Sequence, residues 1–152
     1  MTPKVRLAVE ADLPRLVELL AQLAPDNPDR EDTSSPLPYG YHLVFRQMMD
    51  ARQQLFVADI RGKVVGTLVL VVVPNLSHQG TPYAIIENVV VDENQRSKGI
   101  GEALIRRAVD EARVAGCYKV SLTSNKRRLD AHRFYERLGF ERSHEAFRIN
   151  FE

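Results

Sequence analysis

A chain of 152 residues, 44% hydrophobic and 27% charged, has the makeup of one globular domain able to bury most of its apolar surface without staples. A net charge of +1 excludes a global field that would mark a nucleic-acid or membrane partner, so any anion site has to be local. The single cysteine, Cys117, excludes an internal disulfide and suits a reducing cytoplasm.

The N-terminus lacks a basic region followed by an apolar run, so no signal peptide is expected. "KVRLAV" (4–9) has strand composition. Asp12 then stands where a helix N-cap belongs, and Leu13, Leu16, Leu19, Leu20 and Leu23 recur at helical spacing. Residues 25–40 hold four prolines and little apolar content, which predicts a loop, either a binding loop or plain flexible chain. "YHLVFRQMMDA" resumes a short helix. "QLFVADI" and "KVVGTLVLVVV" read as a hairpin joined at Arg61-Gly62. The apolar run Val64 to Val73 inside it is broken by Gly66 and Thr67 and is too short to span a bilayer.

"TPYAIIENVVVD" (81–92) is the next strand, apolar on both faces in its second half, which predicts a central strand covered on both sides. A helix follows, with Ile100, Leu104, Ala108 and Ala112 as its buried stripe. "YKVSLTS" (118–124) reads as a strand and "LDAHRFYERL" (129–138) as a short helix stopped by Gly139. Residues 140–151 read as one or two closing strands. The expectation is a single α/β domain over residues 1–152 with a mostly antiparallel first half.

Between the valine strand and the long helix lies "NQRSKGIG" (94–101). The first N–H groups of a helix lack internal acceptors, and aligned peptide dipoles leave about half a positive charge there. A phosphate can collect several of those donors, glycines at 99 and 101 let the backbone come close, and Arg96 and Lys98 add charge. The turn alone is equally compatible with an ordinary helix start that contains glycines. A nucleotide P-loop is excluded because Glu102-Ala103 follows Gly101, and a dinucleotide fingerprint because Leu104 replaces its third glycine.

Residues 89–101, "VVVDENQRSKGIG", resemble the acyl-CoA-binding motif of the GCN5-related N-acetyltransferase (GNAT) superfamily, with Arg96, Gly99 and Gly101 on its fixed positions. Ser97 departs from it, standing where glycine is common. "AHRFYERLGF" (131–140) resembles the superfamily's later tyrosine helix, and the first strand and helix resemble it more weakly. The resemblance implies a mixed sheet of six to seven strands, about four helices, and central strands that splay apart. It also implies acetyl-CoA as acetyl donor. The pantetheine arm would pair with the main chain of Val89, Val90 and Val91 by strand addition, and the diphosphate would sit on Arg96, Ser97, Lys98, Gly99, Ile100 and Gly101.

Acetyl transfer to an amine of pKa about 10.4 calls for a base, a polarised carbonyl and a proton for the leaving thiolate. Glu87, set among Ile85, Ile86 and Val89, is the candidate base, acting through a water, and burial would raise its carboxyl pKa. An outward-facing or structural carboxylate is the alternative. Tyr135 matches the superfamily's tyrosine and is the candidate acid, or else an aromatic that packs its helix. Main-chain N–H groups of residues 88–89 would polarise the carbonyl.

His132, one turn before Tyr135, would touch cofactor or merely pack within its helix. Asn125 resembles the asparagine that bonds pantetheine but lies three residues early, with Arg128 in the expected slot. Arg127 and Arg128 either meet a cofactor phosphate or form a solvated basic loop. Cys117 reads as a packed thiol, and His42, His78 and His144 share no metal-ligand spacing, so no metal is expected.

The resulting expectation is an N-acetyltransferase acting by direct attack on a small-molecule primary amine. A peptide or protein amine, or a non-catalytic CoA-binding regulatory module, are the alternatives. Segments 25–40, 41–51 and 74–81 would form the acceptor pocket, and Asp26, Asp29, Glu31 and Asp32 would attract a cation or simply be solvated. No nucleic-acid or membrane partner is expected, the location is expected to be cytoplasmic, and "FRINF" offers an edge for a homodimer.

Overall fold

A computed structural model describes residues 2–151, which group into two units, 2–121 and 122–151. In the first unit the β-branched runs become β1 (Lys4–Leu7), β2 (Gln54–Ile60), β3 (Lys63–Val73), β4 (Tyr83–Val91) and β5 (Val120–Ser121), adjacent in chain order. β1 to β4 are antiparallel and β5 joins parallel, so the sheet is mixed. The β2–β3 turn has Arg61 at φ 54° and Gly62 at φ 85°, and Gly62 N–H donates to Asp59 Oδ1 at 2.7 Å. Positive φ at both turn residues matches the right-handed twist of the strands.

The first unit also carries α1 (Leu13–Ala21), α2 (Tyr39–Asp50), a single turn α3 (Ser77–Gly80) and α4 (Ile100–Val114). α1 buries Leu13, Leu16, Val17 and Leu19, whereas Leu23 lies beyond its end and is exposed. Asp12 does not cap α1 with its side chain. Its carboxylate instead pairs with Arg6 at 2.8 Å and accepts the Val9 N–H at 2.8 Å, closing the turn before the helix. α4 buries Ile100, Leu104, Ile105, Ala108 and Ala112. Gly66 lets it lie close on the sheet, because a Cβ there would stand 3.0 Å from Leu104 Cδ1 and 3.2 Å from the Val90 carbonyl oxygen.

In the second unit α5 (Leu129–Arg137) ends as expected at Gly139, whose φ is 101°. Gly139 N–H donates to the Glu136 carbonyl and Phe140 N–H to the Tyr135 carbonyl, both at 3.0 Å. This closure sets the Phe140 ring edge-on to Tyr135, with centroids 5.9 Å apart.

Three expectations are corrected. Among the described residues the sheet has five strands, not six to seven, and β5 keeps only two residues of the expected 118–124. Residues 140–151 form no strand among the described residues, and Phe147, Ile149 and Phe151 are 94%, 81% and 97% exposed. Alternation makes a strand only where one face is covered and a neighbour completes the ladder. The helices number five among the described residues, the extra one being α3, where His78 and Gln79 adopt left-handed φ values of 54° and 60°.

Candidate functional site

β4 is paired with β3 along its length but with β5 only at Ala84↔Val120 and Ile85↔Ser121. From Ile86 to Val91 its other edge meets no strand among the described residues. The β3 register runs from Thr67↔Val90 to Val69↔Glu87, so Leu68 alone faces both Asn88 and Val89. This is a β-bulge, and Asn88 takes φ 55° within it. A bulge leaves its extra residue outside the ladder and bends the strand locally. Asparagine tolerates the left-handed region, but a polar Asn inside an apolar strand does not by itself mark a bulge.

Glu87 is exposed, not sequestered among its isoleucines, so the expected burial of this carboxylate fails. The bulge explains it, because Glu87 and Asn88 are consecutive exposed positions of a strand that is covered again at Val90. Val90 is buried, while Val89 and Val91 are half-buried. What the three valines offer a ligand is therefore main chain rather than side chain.

After β4 the chain makes a 3₁₀ turn, Glu93–Gln95, and then reverses into α4. Ser97 (φ 66°) and Gly99 (φ 78°) are both left-handed. Left-handed residues turn successive N–H groups toward one concave side, the geometry of an anion nest. The Ala103 N–H bonds the Gly99 carbonyl at 3.1 Å, which by helix geometry leaves the N–H groups of Ile100, Gly101 and Glu102 at the open end. The Ile100 side chain is buried, so only its main chain belongs to the turn.

A Cβ on Gly99 would meet nothing within 4 Å, and a groove of about 430 Å³ adjoins it, lined by Lys98, Glu102, Ala103 and Arg106 with Thr2 and Pro3. Arg96 is exposed and donates to the Val91 carbonyl at 3.3 Å, and Lys98 donates to Gln95 Oε1 at 3.1 Å. The turn is thus exposed and carries two cationic side chains, while Arg106 beside it is paired with Glu102 at 3.0 Å. A second groove, of about 360 Å³, lies where the end of β1 meets α2 and β2, with Leu7, Met49 and Leu55 in its lining. Of the segments expected to hold the acceptor, α2 alone reaches it.

The second unit carries the other predicted residues. The Asn125 side chain accepts the Arg127 N–H at 2.9 Å, and its carbonyl receives His132 Nε2 at 2.8 Å. Donation from Nε2 leaves His132 Nδ1 as an acceptor, and this atom, with Ser124 Oγ, is buried without a hydrogen-bond partner among the described residues. Buried polar atoms are normally paired, so these two are open to an ordered water or a ligand. Ser124 was not singled out in the sequence, because a serine at a strand end carries no motif. Tyr135 is half-buried; burial pushes its phenol up and Arg128 counters only in part. The hydroxyl is thus held protonated, as a proton donor must be. Burial likewise pushes up the Cys117 thiol, consistent with a packed side chain rather than a nucleophile.

A mixed sheet whose half-open, bulged β4 runs through a left-handed turn into the long helix α4 defines an α/β protein. The profile of the Acetyltransferase (GNAT) family matches residues 15–140, and the chain belongs to that family. It is 34% identical over 146 residues to a glucosamine 6-phosphate N-acetyltransferase of Trypanosoma brucei brucei, covering 93% of this chain and 90% of that protein. It is 36% identical over 100 residues to an aminoalkylphosphonate N-acetyltransferase of Salmonella typhimurium, covering 66% of this chain and 64% of the other. A crystal structure described as a transcriptional regulator from Bacillus halodurans C-125 superposes with a TM-score of 0.91 at 37% identity, covering 98% of this chain and 99% of that one. Among the described residues no helix is long and apolar enough to cross a membrane.

Proposed function

We propose that the protein transfers the acetyl group of acetyl-CoA to the primary amine of a small molecule that carries a phosphoryl or phosphonyl group. The observation that carries the reading is β4 itself, free along one edge, bulged at Asn88 and running into the left-handed Ser97–Gly99 turn. The main chain of Val89 to Val91 would pair with the amide-bearing arm, and residues 96–101 would take the diphosphate. N–H groups at the bulge would stabilise charge developing on the thioester oxygen.

Glu87, exposed at the bulge, would draw the ammonium proton through a water, which frees the amine for attack. The C–N bond forms as the C–S bond breaks, and Tyr135 supplies the proton to the departing thiolate. Asn125 and His132 would bind the arm. Both named relatives act on amines bearing a phosphate or phosphonate, which supports that acceptor class. Both units would then serve one catalytic domain, working in the cytoplasm. We further propose a homodimer through residues 147–151, where Phe147, Ile149 and Phe151 face solvent in the isolated chain; light scattering on the full chain should give twice the monomer mass.

The test is thiol release from acetyl-CoA with glucosamine 6-phosphate, aminoalkylphosphonates, their unphosphorylated counterparts and peptides. A preference of at least about tenfold in kcat/KM for the phosphorylated amines is expected, the discrimination a buried charged contact supplies. Turnover with peptides alone would replace the acceptor. Acetyl-CoA binding with no turnover on any amine would favour a regulatory module, the reading to which the Bacillus halodurans structure points.

A further inference from the structure

The Asp92 side chain is buried at the end of β4, four residues before Arg96, and no step of the reaction uses it. Its Oδ2 meets Arg15 Nη2 of α1 at 2.6 Å, and its Oδ1 accepts the Asn94 N–H at 3.1 Å. Its main chain is equally engaged, with N–H to the Val65 carbonyl and C=O from the Gln95 N–H, both at 2.8 Å. Arg15 is itself fixed, because its Nε donates to the Val64 carbonyl at 2.9 Å and its Nη1 to Glu18 at 3.0 Å. About two turns further along, at the C-terminal end of α1, Gln22 Oε1 accepts the Glu93 N–H at 2.9 Å. The approach to the phosphate turn is thus held from two sides, by the β3 main chain and by two side chains from the start and end of α1.

We infer that Arg15, with Gln22, is a positioning residue for the diphosphate turn: by clamping Asp92 and Glu93 it sets the direction in which the N–H groups of residues 96–101 point. This rests on the reading of that turn as the acetyl-CoA site. A nest of amides binds an anion only while its donors converge, and a displacement of about 1 Å far from the chemistry costs up to about 100-fold. Arginine suits the role where lysine does not, since one planar fork reaches the Val64 carbonyl and the Asp92 carboxylate together. Among the described residues the hydrogen bonds of Arg15 and Asp92 go to residues outside 96–101, so their influence is exerted through the 92–95 turn.

The test compares two donors, acetyl-CoA and S-acetylpantetheine, which has the arm but no diphosphate. In Arg15→Met, KM for acetyl-CoA is expected to rise at least about tenfold with kcat within about twofold, while kcat/KM for S-acetylpantetheine stays within about threefold of the parent. Arg15→Lys should recover only part of the loss. Removing Arg15 strands a buried carboxylate and risks the fold, so Gln22→Ala, which only frees the Glu93 N–H, is measured in parallel, with a rise of about threefold confined to acetyl-CoA expected.

Equal losses with both donors, or unaltered KM in Gln22→Ala and Arg15→Lys, would overturn the assignment. Gly99→Glu, which places bulk and charge in the turn, separates this from the underlying reading. If it abolishes acetyl-CoA binding while the Arg15 and Gln22 variants do nothing, only the clamp is refuted. If Gly99→Glu binds normally, the turn is not the diphosphate site.

Discussion

Ser97 stands at φ 66°, where a side chain with a Cβ costs about 1–2 kcal/mol relative to glycine. The superfamily's frequent glycine at this position is therefore explained by backbone conformation, since the N–H that would meet a phosphate is the same for both residues. Ser97→Gly should raise stability by up to about 1 kcal/mol, part of the relief being offset by glycine's greater freedom in the unfolded chain. The thermal midpoint should rise by about 2–4 °C with acetyl-CoA affinity unchanged; a lower midpoint in calorimetry would contradict the strain. Tyr135 presents the complementary case, in which the proposed role belongs to the side chain. Its half-buried phenol is pushed above the ordinary value by desolvation, with Arg128 opposing, so it stays protonated throughout the neutral range, the state that the proposed acid role requires. Tyr135→Phe keeps the ring against Phe140 and removes only the hydroxyl. kcat should fall about 100-fold, within the range of general-acid effects, at constant acetyl-CoA affinity. Equal kcat in stopped-flow assays would remove Tyr135 as the acid.

α4 reaches the sheet only because Gly66 is there. A methyl at that position would press within 3.0 Å of Leu104, 3.1 Å of Ile100 and 3.2 Å of the Val90 carbonyl. The two side chains can give a little, but the carbonyl belongs to the very strand expected to hold the acyl arm. Gly66→Ala should cost about 1–3 kcal/mol by overpacking, lowering the midpoint by about 3–10 °C, and should weaken acetyl-CoA binding as well. Unchanged stability together with unchanged binding would show that α4 tolerates the shift. At this scale much was legible in the chain. The hairpin at Arg61-Gly62, the stripe of α4, the stop at Gly139 and the glycine turn each follow from a local rule that the fold leaves in force. Three features were not legible, for one reason: they are set by partners distant in sequence. The Asn88 bulge depends on the β3 register, the exposure of Glu87 follows from that bulge, and the pairing of Asp92 depends on Arg15, 77 residues away. Asp12 shows the same limit in small, since its local pattern says cap while Arg6 claims the carboxylate. The tail reads as strand for the opposite reason: its alternation is real, but nothing within the isolated chain covers Phe147, Ile149 and Phe151.

Across the whole molecule, two carboxylates that tie elements together also set the response to acid. The Arg6 guanidinium holds Asp12 below the usual carboxylate range against the opposing effect of burial, with the Val9 N–H adding to it. For Asp92 burial is the largest influence and pushes upward, but the Asn94 N–H, Arg15 and Gln22 together outweigh it, so the net shift is again downward. Glu10 and Asp32 are also lowered but lie in solvent, where screening leaves them little influence on folding. A carboxylate with a depressed folded pKa binds its proton more readily in the unfolded chain. Its stabilisation is therefore complete above the unfolded value of about 3.9 and is lost as pH falls through the lower folded value. The urea midpoint should accordingly be flat from neutrality to about pH 5 and fall steeply below about pH 4. A double variant, Arg15→Met with Asp92→Asn, removes one of the two pairs while leaving an acceptor for the Asn94 N–H. Its midpoint should lie below the parent's at neutral pH and converge toward it near pH 3, because the parent has by then lost what the variant never had. Parallel curves at a constant separation down to pH 3 would mean that the Arg15–Asp92 pair holds the turn without contributing charge-dependent stability.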